Sequence, residues 1–280
     1  MKKAIMAIMY DFDKTLSVDY MQNFGFIPEI GMMPDQFWKE TNDFSDRTGA
    51  DKTLAYMYMM IEKAKEKGIS LSRERLQSMG QKIKFFKGVQ TWFKRINEYG
   101  DYKGVKVEHY LISSGNKEII EGCPIAKEFK AIFGCEFIFD PKTKEPVWPK
   151  LAVNYTQKTQ YFFRISKGAL DTSDEVQVNE KSPRRRIPYS NMVYLGDGMT
   201  DIPAMILAHN NGGNSIALYS HTEDKEKVAQ LLLDDRVNFI CRADYSSGSE
   251  LEKVMNLLID EISIKNILRK RQDNVSKSGE

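Results

Sequence analysis

Cysteine and histidine are scarce in this 280-residue chain, three of each, and that scarcity removes several chemistries at the outset. Cys123, Cys135 and Cys241 are odd in number and contain no CxxC pair, so neither a disulfide framework nor a thiolate zinc site is expected. His109, His209 and His221 are too few and too scattered for a His-rich metal centre. An excess of one charge is also missing. Lys+Arg at 41 against Asp+Glu at 39 leaves +2, which predicts no general attraction to nucleic acid or to an acidic membrane surface. No stretch approaches the roughly 20 apolar residues that a membrane span requires. Lys2-Lys3 followed by Ala4 to Tyr10 has the outline of a signal peptide, but the apolar run stops at Asp11-Phe12-Asp13 and no small-residue cleavage site follows. It reads as a buried strand, and the chain as a soluble cytoplasmic protein.

What is present is ordinary globular material, 41% apolar and 29% charged. The length corresponds to about two domains of roughly 150 residues and buries enough surface to fold without covalent staples. Lys3 to Tyr10 is a continuous apolar run of strand length, the pattern of a parallel strand covered on both faces. From Asp19 to Tyr99 the character changes to Met, aromatic and charged residues at helical spacing. Leu54, Met57, Tyr58, Ile61 and Ala64 would form one helical face, and Leu76, Met79, Ile83 and Phe86 another. Strand signals return over Val105 to Ile112, Glu136 to Phe139, Asn191 to Leu195, Ser215 to Leu218 and Val237 to Ile240. Helical patterns separate most of them, which predicts βαβ units on a parallel sheet. The expected organisation is an α/β core from residues 1–16 and 101–272, a helical insertion over 17–100, and a disordered tail over 273–280. Asp171 to Ser190 reads as a long surface loop. Its Pro183-Arg184-Arg185-Arg186 stretch reads as solvated, since no aromatic residues interleave it as a nucleic-acid contact would want.

Three motifs carry chemistry. Asp11-Phe12-Asp13-Lys14-Thr15-Leu16 follows the first strand directly, placing two carboxylates where a parallel sheet presents its crevice. One can serve as nucleophile and metal ligand, the other as acid and base; read alone, the stretch is also a polar strand exit. Gly196-Asp197-Gly198-Met199-Thr200-Asp201 follows another apolar strand. Its glycines permit a tight turn and close backbone approach to a ligand, and Pro203 suits the first turn of a helix Ile202 to Ala208. Four carboxylates at two strand ends call for a cation, and an all-oxygen set favours Mg²⁺. The third motif, Leu111-Ile112-Ser113-Ser114-Gly115-Asn116, ends a strand in two hydroxyls just before a helix Lys117 to Glu121. That arrangement suits phosphate, although Ser is also a common N-cap.

Together and in this order, the three motifs resemble those of the haloacid dehalogenase superfamily of phosphohydrolases, over about residues 1–16 and 101–245. A helical insertion after the first strand is similar to the C1-capped, phosphoserine phosphatase-like branch. The resemblance implies a Rossmann-like, doubly wound parallel sheet with an inserted, mainly helical cap domain. It implies Asp11 as nucleophile, Asp13 as general acid/base, and Mg²⁺ held by Asp11, Asp197 and the Asp13 backbone carbonyl. Asp201 would stand behind the metal ligands or bond the catalytic lysine. Ser113 is the better match to the phosphate-binding hydroxyl, with Ser114 then the helix cap. For the lysine at the start of the preceding helix, Lys158 fits best, with Thr156 as N-cap and Tyr161, Phe162 and Ile165 as the apolar face. Lys167, at the helix end, merely suits the dipole. The 39-residue gap from Lys158 to Asp197 is long for the family, and Asp171 to Ser190 accounts for it.

The function implied is a Mg²⁺-dependent phosphatase acting on a small phosphorylated metabolite through an aspartyl-phosphate, with no nucleic-acid or membrane partner. A mutase would share both carboxylates, and a non-catalytic binding protein on the same core would lack one of these residues. A dehalogenase would lack Asp13. Neither substrate nor oligomeric state is legible: Tyr20, with Asp19 beside it, stands where phosphoserine phosphatases place a Glu, and Trp38, Phe44 and Arg47 are candidate cap contacts.

Overall fold

The computed structural model describes residues 3–181, 185–220 and 225–278. β1 (Ala4–Tyr10) is followed by a short 3₁₀ turn at Met21–Asn23 and four helices: α1 (Phe26–Glu29), α2 (Pro34–Thr48), α3 (Lys52–Lys67) and α4 (Arg73–Gly80). Then come α5 (Val89–Tyr102), β2 (Val105–Asn116), α6 (Lys117–Glu121), β3 (Ala131–Phe139), β4 (Pro146–Leu151), α7 (Gln157–Lys167) and α8 (Glu175–Asn179). The chain closes with β5 (Met192–Gly196), α9 (Ile202–Asn210), β6 (Asn214–Tyr219), α10 (Lys225–Leu233), β7 (Phe239–Arg242) and α11 (Glu250–Ser278).

The seven strands form one sheet in the order β4-β3-β2-β1-β5-β6-β7, parallel except for the antiparallel β3–β4 pair. Met6 to Tyr10 are wholly buried, which an alternating strand achieves only when both sheet faces are covered. α5 and α11 pack on each other and on β1 and β2, while α7 and α9 pack on each other and reach β2, β5 and β6. The chain leaves β1 for β2 on one side and later returns to β5 on the other. The carboxyl end of β1 is thus the topological switch point, where open α/β sheets bind ligands.

α1–α4 are inserted between β1 and α5. Two adjacent segments tether them: Val18 N–H donates to the Lys84 carbonyl (3.0 Å) and Phe86 N–H to the Leu16 carbonyl (3.0 Å), around a Ser17–Phe85 bridge.

Several expectations are corrected. α5 lay in the expected 17–100 insertion, but it packs on β2 and α11; its buried Val89, Trp92, Phe93 and Ile96 cover the sheet. Leu54 and Tyr58 are 42% and 45% exposed, because α3 meets both α2 and β4 and buries Ala55, Tyr56, Met57, Met59, Met60 and Ala64 instead. Ile83 and Phe86 lie beyond α4, which stops at Gly80; there a Cβ would stand 2.2 Å from the Ile119 carbonyl. Residues 273–278, expected to be disordered, continue α11. The loop at 171–190 contains α8, capped by the Asp174 side chain on Gln177 N–H (2.8 Å); Pro183 and Arg184 lie outside the described residues.

Candidate active site

Asp11 extends β1: its N–H donates to the Leu195 carbonyl of β5 (2.9 Å), so sheet pairing runs to the carboxylate itself. The chain then turns tightly. The amides of Thr15, Leu16 and Ser17 all donate to the Phe12 carbonyl at 3.3, 2.9 and 3.1 Å, and Lys14 takes a left-handed conformation (φ 59°), a strained one for a residue with a side chain. Asp13 inside this turn is bound differently from Asp11, its Oδ1 accepting the Met21 N–H at 2.8 Å.

Lys158 stands in the first turn of α7. Asn154 Oδ1 accepts the Thr156 and Gln157 amides at 3.2 and 3.0 Å. Thr156 occupies the N-cap position, but its hydroxyl donates to Asn154 (3.0 Å) rather than capping the helix. Tyr161, Phe162 and Ile165 are fully buried behind it. The Lys158 ammonium, 1% exposed, donates to Asp11 Oδ1 at 2.9 Å and to Asp201 Oδ1 at 2.7 Å. Lys167, at the far end of α7, donates to the Val178 and Glu180 carbonyls at 2.7 and 2.8 Å.

Asp201 is fully buried. Tyr194 Oη donates to its Oδ1 (2.7 Å) and Gly198 N–H to its Oδ2 (3.3 Å). The close approach expected of the glycines is made by Gly196 and by the protein itself: a Cβ there would lie 2.5 Å from Asp201 Cγ. Gly198 has neither a crowded Cα nor a positive φ.

Asp11, Asp197 and Asp201 each bring an oxygen within 4.8 Å of the others. Asp13, expected to offer its backbone carbonyl, keeps its carboxylate outside this group, and Asp201, expected behind the metal ligands or on the lysine, bonds Lys158 and also brings an oxygen to the group. The buried Lys158 ammonium serves this group, and Lys14 also acts on Asp197. Lys158 bonds Asp11 and Asp201, while Asp197 Oδ1 accepts a long 3.5 Å bond from Thr15 Oγ1. An oxygen-only, negatively charged set of this kind fits a hard divalent cation such as Mg²⁺. Burial raises Asp11 to about 6, helped by the charge of Asp201 and opposed by Lys158. Burial and the neighbouring carboxylates also raise Asp197 and Asp13. Burial alone would lower the Lys158 ammonium, but the attraction of Asp11 and Asp201 raises it above its ordinary value.

The serine motif meets the site through Gly115, where a Cβ would lie 2.0 Å from Met21 Cε and 3.2 Å from Asp13 Oδ2. Ser113 is buried, its Oγ accepting the Gly115 N–H at 3.0 Å. Ser114 is not the helix cap, because β2 runs on to Asn116, which takes that position.

Sequence reasoning missed four participants. Tyr194 looked like one more apolar strand residue. Tyr56 Oη donates to the Ser114 carbonyl (2.7 Å), joining α3 to the motif. Gln22 Nε2 donates to Asn116 Oδ1 (3.1 Å), and both amides are buried with Gln22 Oε1 and Asn116 Nδ2 lacking partners among the described residues. Of the proposed cap contacts, Trp38 bridges Tyr20 (5.1 Å) and Tyr56 (6.2 Å). Phe44 stacks on Tyr58 and carries Arg47 over its ring.

A switch-point crevice holding paired carboxylates and a buried lysine, with helices inserted after the first strand, defines a capped, mostly parallel α/β architecture. The comparisons agree at the level of fold. No family model matches the chain. An uncharacterized protein of Borreliella burgdorferi is 27% identical over 94% of this chain and 98% of its own length. A structure described as a phospho-aspartyl intermediate analogue of phosphoserine phosphatase superposes with a TM-score of 0.55 at 15% identity, covering 91% of this chain and 99% of that one. A HAD family hydrolase from Salmonella enterica serovar Typhi gives 0.54 at 15% identity over 79% of this chain; the present chain spans 64% of its length. The chain shares the fold of these two structures, a mostly parallel α/β core with helices inserted after the first strand. Among the described residues, no helix is long and apolar enough to cross a membrane.

Proposed function

We propose that this protein is a Mg²⁺-dependent phosphatase that hydrolyses a small phosphorylated metabolite through an aspartyl-phosphate on Asp11. The observation that carries the reading is Lys158, a buried ammonium shared by carboxylates from two different strand ends. A structural ion pair needs one carboxylate; a second, with Asp197 close by, prepares a place for an anion and its counter-cation. Asp11, Asp197 and Asp201, with the Asp13 carbonyl, would hold Mg²⁺, which when bound supplies the positive charge that lets a carboxylate approach a phosphate. Asp11 attacks phosphorus in line, and the bond to the leaving oxygen breaks as Asp13 delivers a proton to it. Asp13 then takes a proton from the water that cleaves the acyl phosphate. Lys158 and Ser113 hold equatorial oxygens, with Tyr194 and Gly198 fixing Asp201 behind the lysine.

Turnover of an aryl phosphate with Mg²⁺ tests the reading. Asp11→Asn should abolish it while leaving the circular dichroism unchanged. Wild-type turnover in that variant, or full activity in chelator, refutes the assignment. A screen of phosphorylated metabolites then identifies the substrate.

A further inference from the structure

The opposite end of the sheet carries a feature that the proposed chemistry does not use. A cavity of about 860 Å³ opens beside Ala4, at the start of β1, between the Arg185–Asn191 segment and α11. It lies a strand's length from Asp11, on the order of 20 Å. Six cations line it, Lys3, Arg185, Arg186, Lys265, Arg269 and Lys270, and among the described residues no carboxylate does. In a chain of net charge +2 this is a strong local excess.

Half of that charge is answered outside the cavity: Lys3 pairs with Asp101 (2.7 Å), Lys265 with Glu261 (2.6 Å) and Arg186 with Glu108 (2.6 Å). Even this last pairing is incomplete, because Glu108 also serves Lys106 (3.2 Å) and Lys130 (2.8 Å). Arg185 has no carboxylate partner among the described residues. Its guanidinium lies 4.2 Å from the Tyr189 ring and donates to Ser166 Oγ (3.1 Å). Exposed Arg269 and half-buried Lys270, one helical position apart on α11, have no ion-pair partner among the described residues either.

We propose that this cavity binds a small organic di- or triphosphate at a site separate from the catalytic crevice. Three uncompensated cations match the three to four negative charges of such an anion. Arg185 and Arg186 are held in place by stacking and by a carboxylate, and fixed planar guanidiniums suit phosphate oxygens. Ile5, Pro188 and Ile262 supply an apolar wall for the organic portion. The volume is that of a small-molecule site rather than of an extended groove.

Calorimetric titration of the full chain in chelator tests this, with ADP as probe and AMP and inorganic phosphate as comparators. ADP should bind, and more tightly than either comparator. Arg269→Glu/Lys270→Glu, at an exposed and a half-buried position of α11, should weaken ADP binding by roughly tenfold or more. Arg185→Gln, from a different segment, should weaken it too. Aryl-phosphate turnover in all variants should match wild type. Absent ADP binding, equal affinity for ADP and AMP, or unchanged affinity in both variants overturns the proposal. So does binding of poly(U) or phosphatidylserine vesicles, but not ADP, through the same residues, since the partner would then be a polymer or a membrane.

Discussion

Replacing Lys158 with methionine keeps a stem of similar length and removes the buried ammonium that bonds Asp11 and Asp201, with half-buried Asp197 close by. At 2.9 and 2.7 Å, in an effective dielectric of about 20, each contact represents about 6 kcal/mol of gross attraction. Much of that is offset by the cost of burying the ions, and truncating one partner of a buried pair typically costs about 3–5 kcal/mol. For a chain of this size that lowers the melting temperature by on the order of 10 °C. The loss must depend on pH, with a definite sign. Asp11 already titrates at about 6, above its ordinary value, so the folded state binds protons that the unfolded state does not, and its contribution to stability falls as pH rises through that value. Without the ammonium the carboxyls are raised further, so the deficit of Lys158→Met should be large at pH 8 and should narrow at pH 5.5. Urea unfolding of both proteins in chelator at the two values measures it. A deficit under about 1 kcal/mol at pH 8, or one equal at both pH values, would show that Lys158 does not neutralise these carboxylates.

Other outcomes follow from single contacts. Lys167→Ala removes a donor from two loop carbonyls and should cost about 1 kcal/mol of stability with turnover unchanged; a collapse in kcat would move the phosphate clamp to the other end of α7. Tyr194→Phe removes a hydrogen bond to a buried charge and should cost about 1.5–3 kcal/mol, with kcat falling more than KM rises. His109 is held neutral, its pKa lowered to about 3 by burial, with Nδ1 accepting from Tyr10 Oη (2.9 Å) and Nε2 facing Asn97 Oδ1 (3.1 Å). Because the unfolded state takes up this proton near pH 6.5, stability should drop as pH falls, by about 2 kcal/mol at pH 5. His109→Gln should flatten that part of the profile, and an identical acid profile in the two proteins would contradict it.

The carboxylate-bearing strand ends were legible because Asp11 and Asp197 come at or just after apolar runs of strand length, the pattern of a sheet covered on both faces. Lys158 came from the resemblance, which calls for a lysine at a helix start, and the apolar face of Tyr161, Phe162 and Ile165 chose it over Lys167. Asp201 was harder to place, because a sequence does not show that Gly196 lets its carboxyl fold back against the strand end. The allegiance of α5 was invisible for another reason: an amphipathic stripe announces that a face is buried, not which partner buries it. β4 carries Pro146 and Pro149, which argue against a strand unless it lies at a sheet edge, as this one does. Residues 273–278, expected to be disordered, extend a helix whose earlier turns bury Leu251, Met255, Ile259 and Ile262.

Asp11 and Asp13 are two residues apart but are fastened to different parts of the molecule. The backbone of Asp11 is bonded to β5 within the sheet, whereas the Asp13 carboxylate is held by the Met21 amide at the entrance to the inserted helices. A change that shifts those helices on their two-segment tether therefore reorients one carboxylate and leaves the other in place. If the two act as proposed, damage in the insertion, far from any reacting atom, should spare attack by Asp11 on phosphates whose leaving groups need no proton, while the water step that relies on Asp13 fails and the phosphorylated protein accumulates.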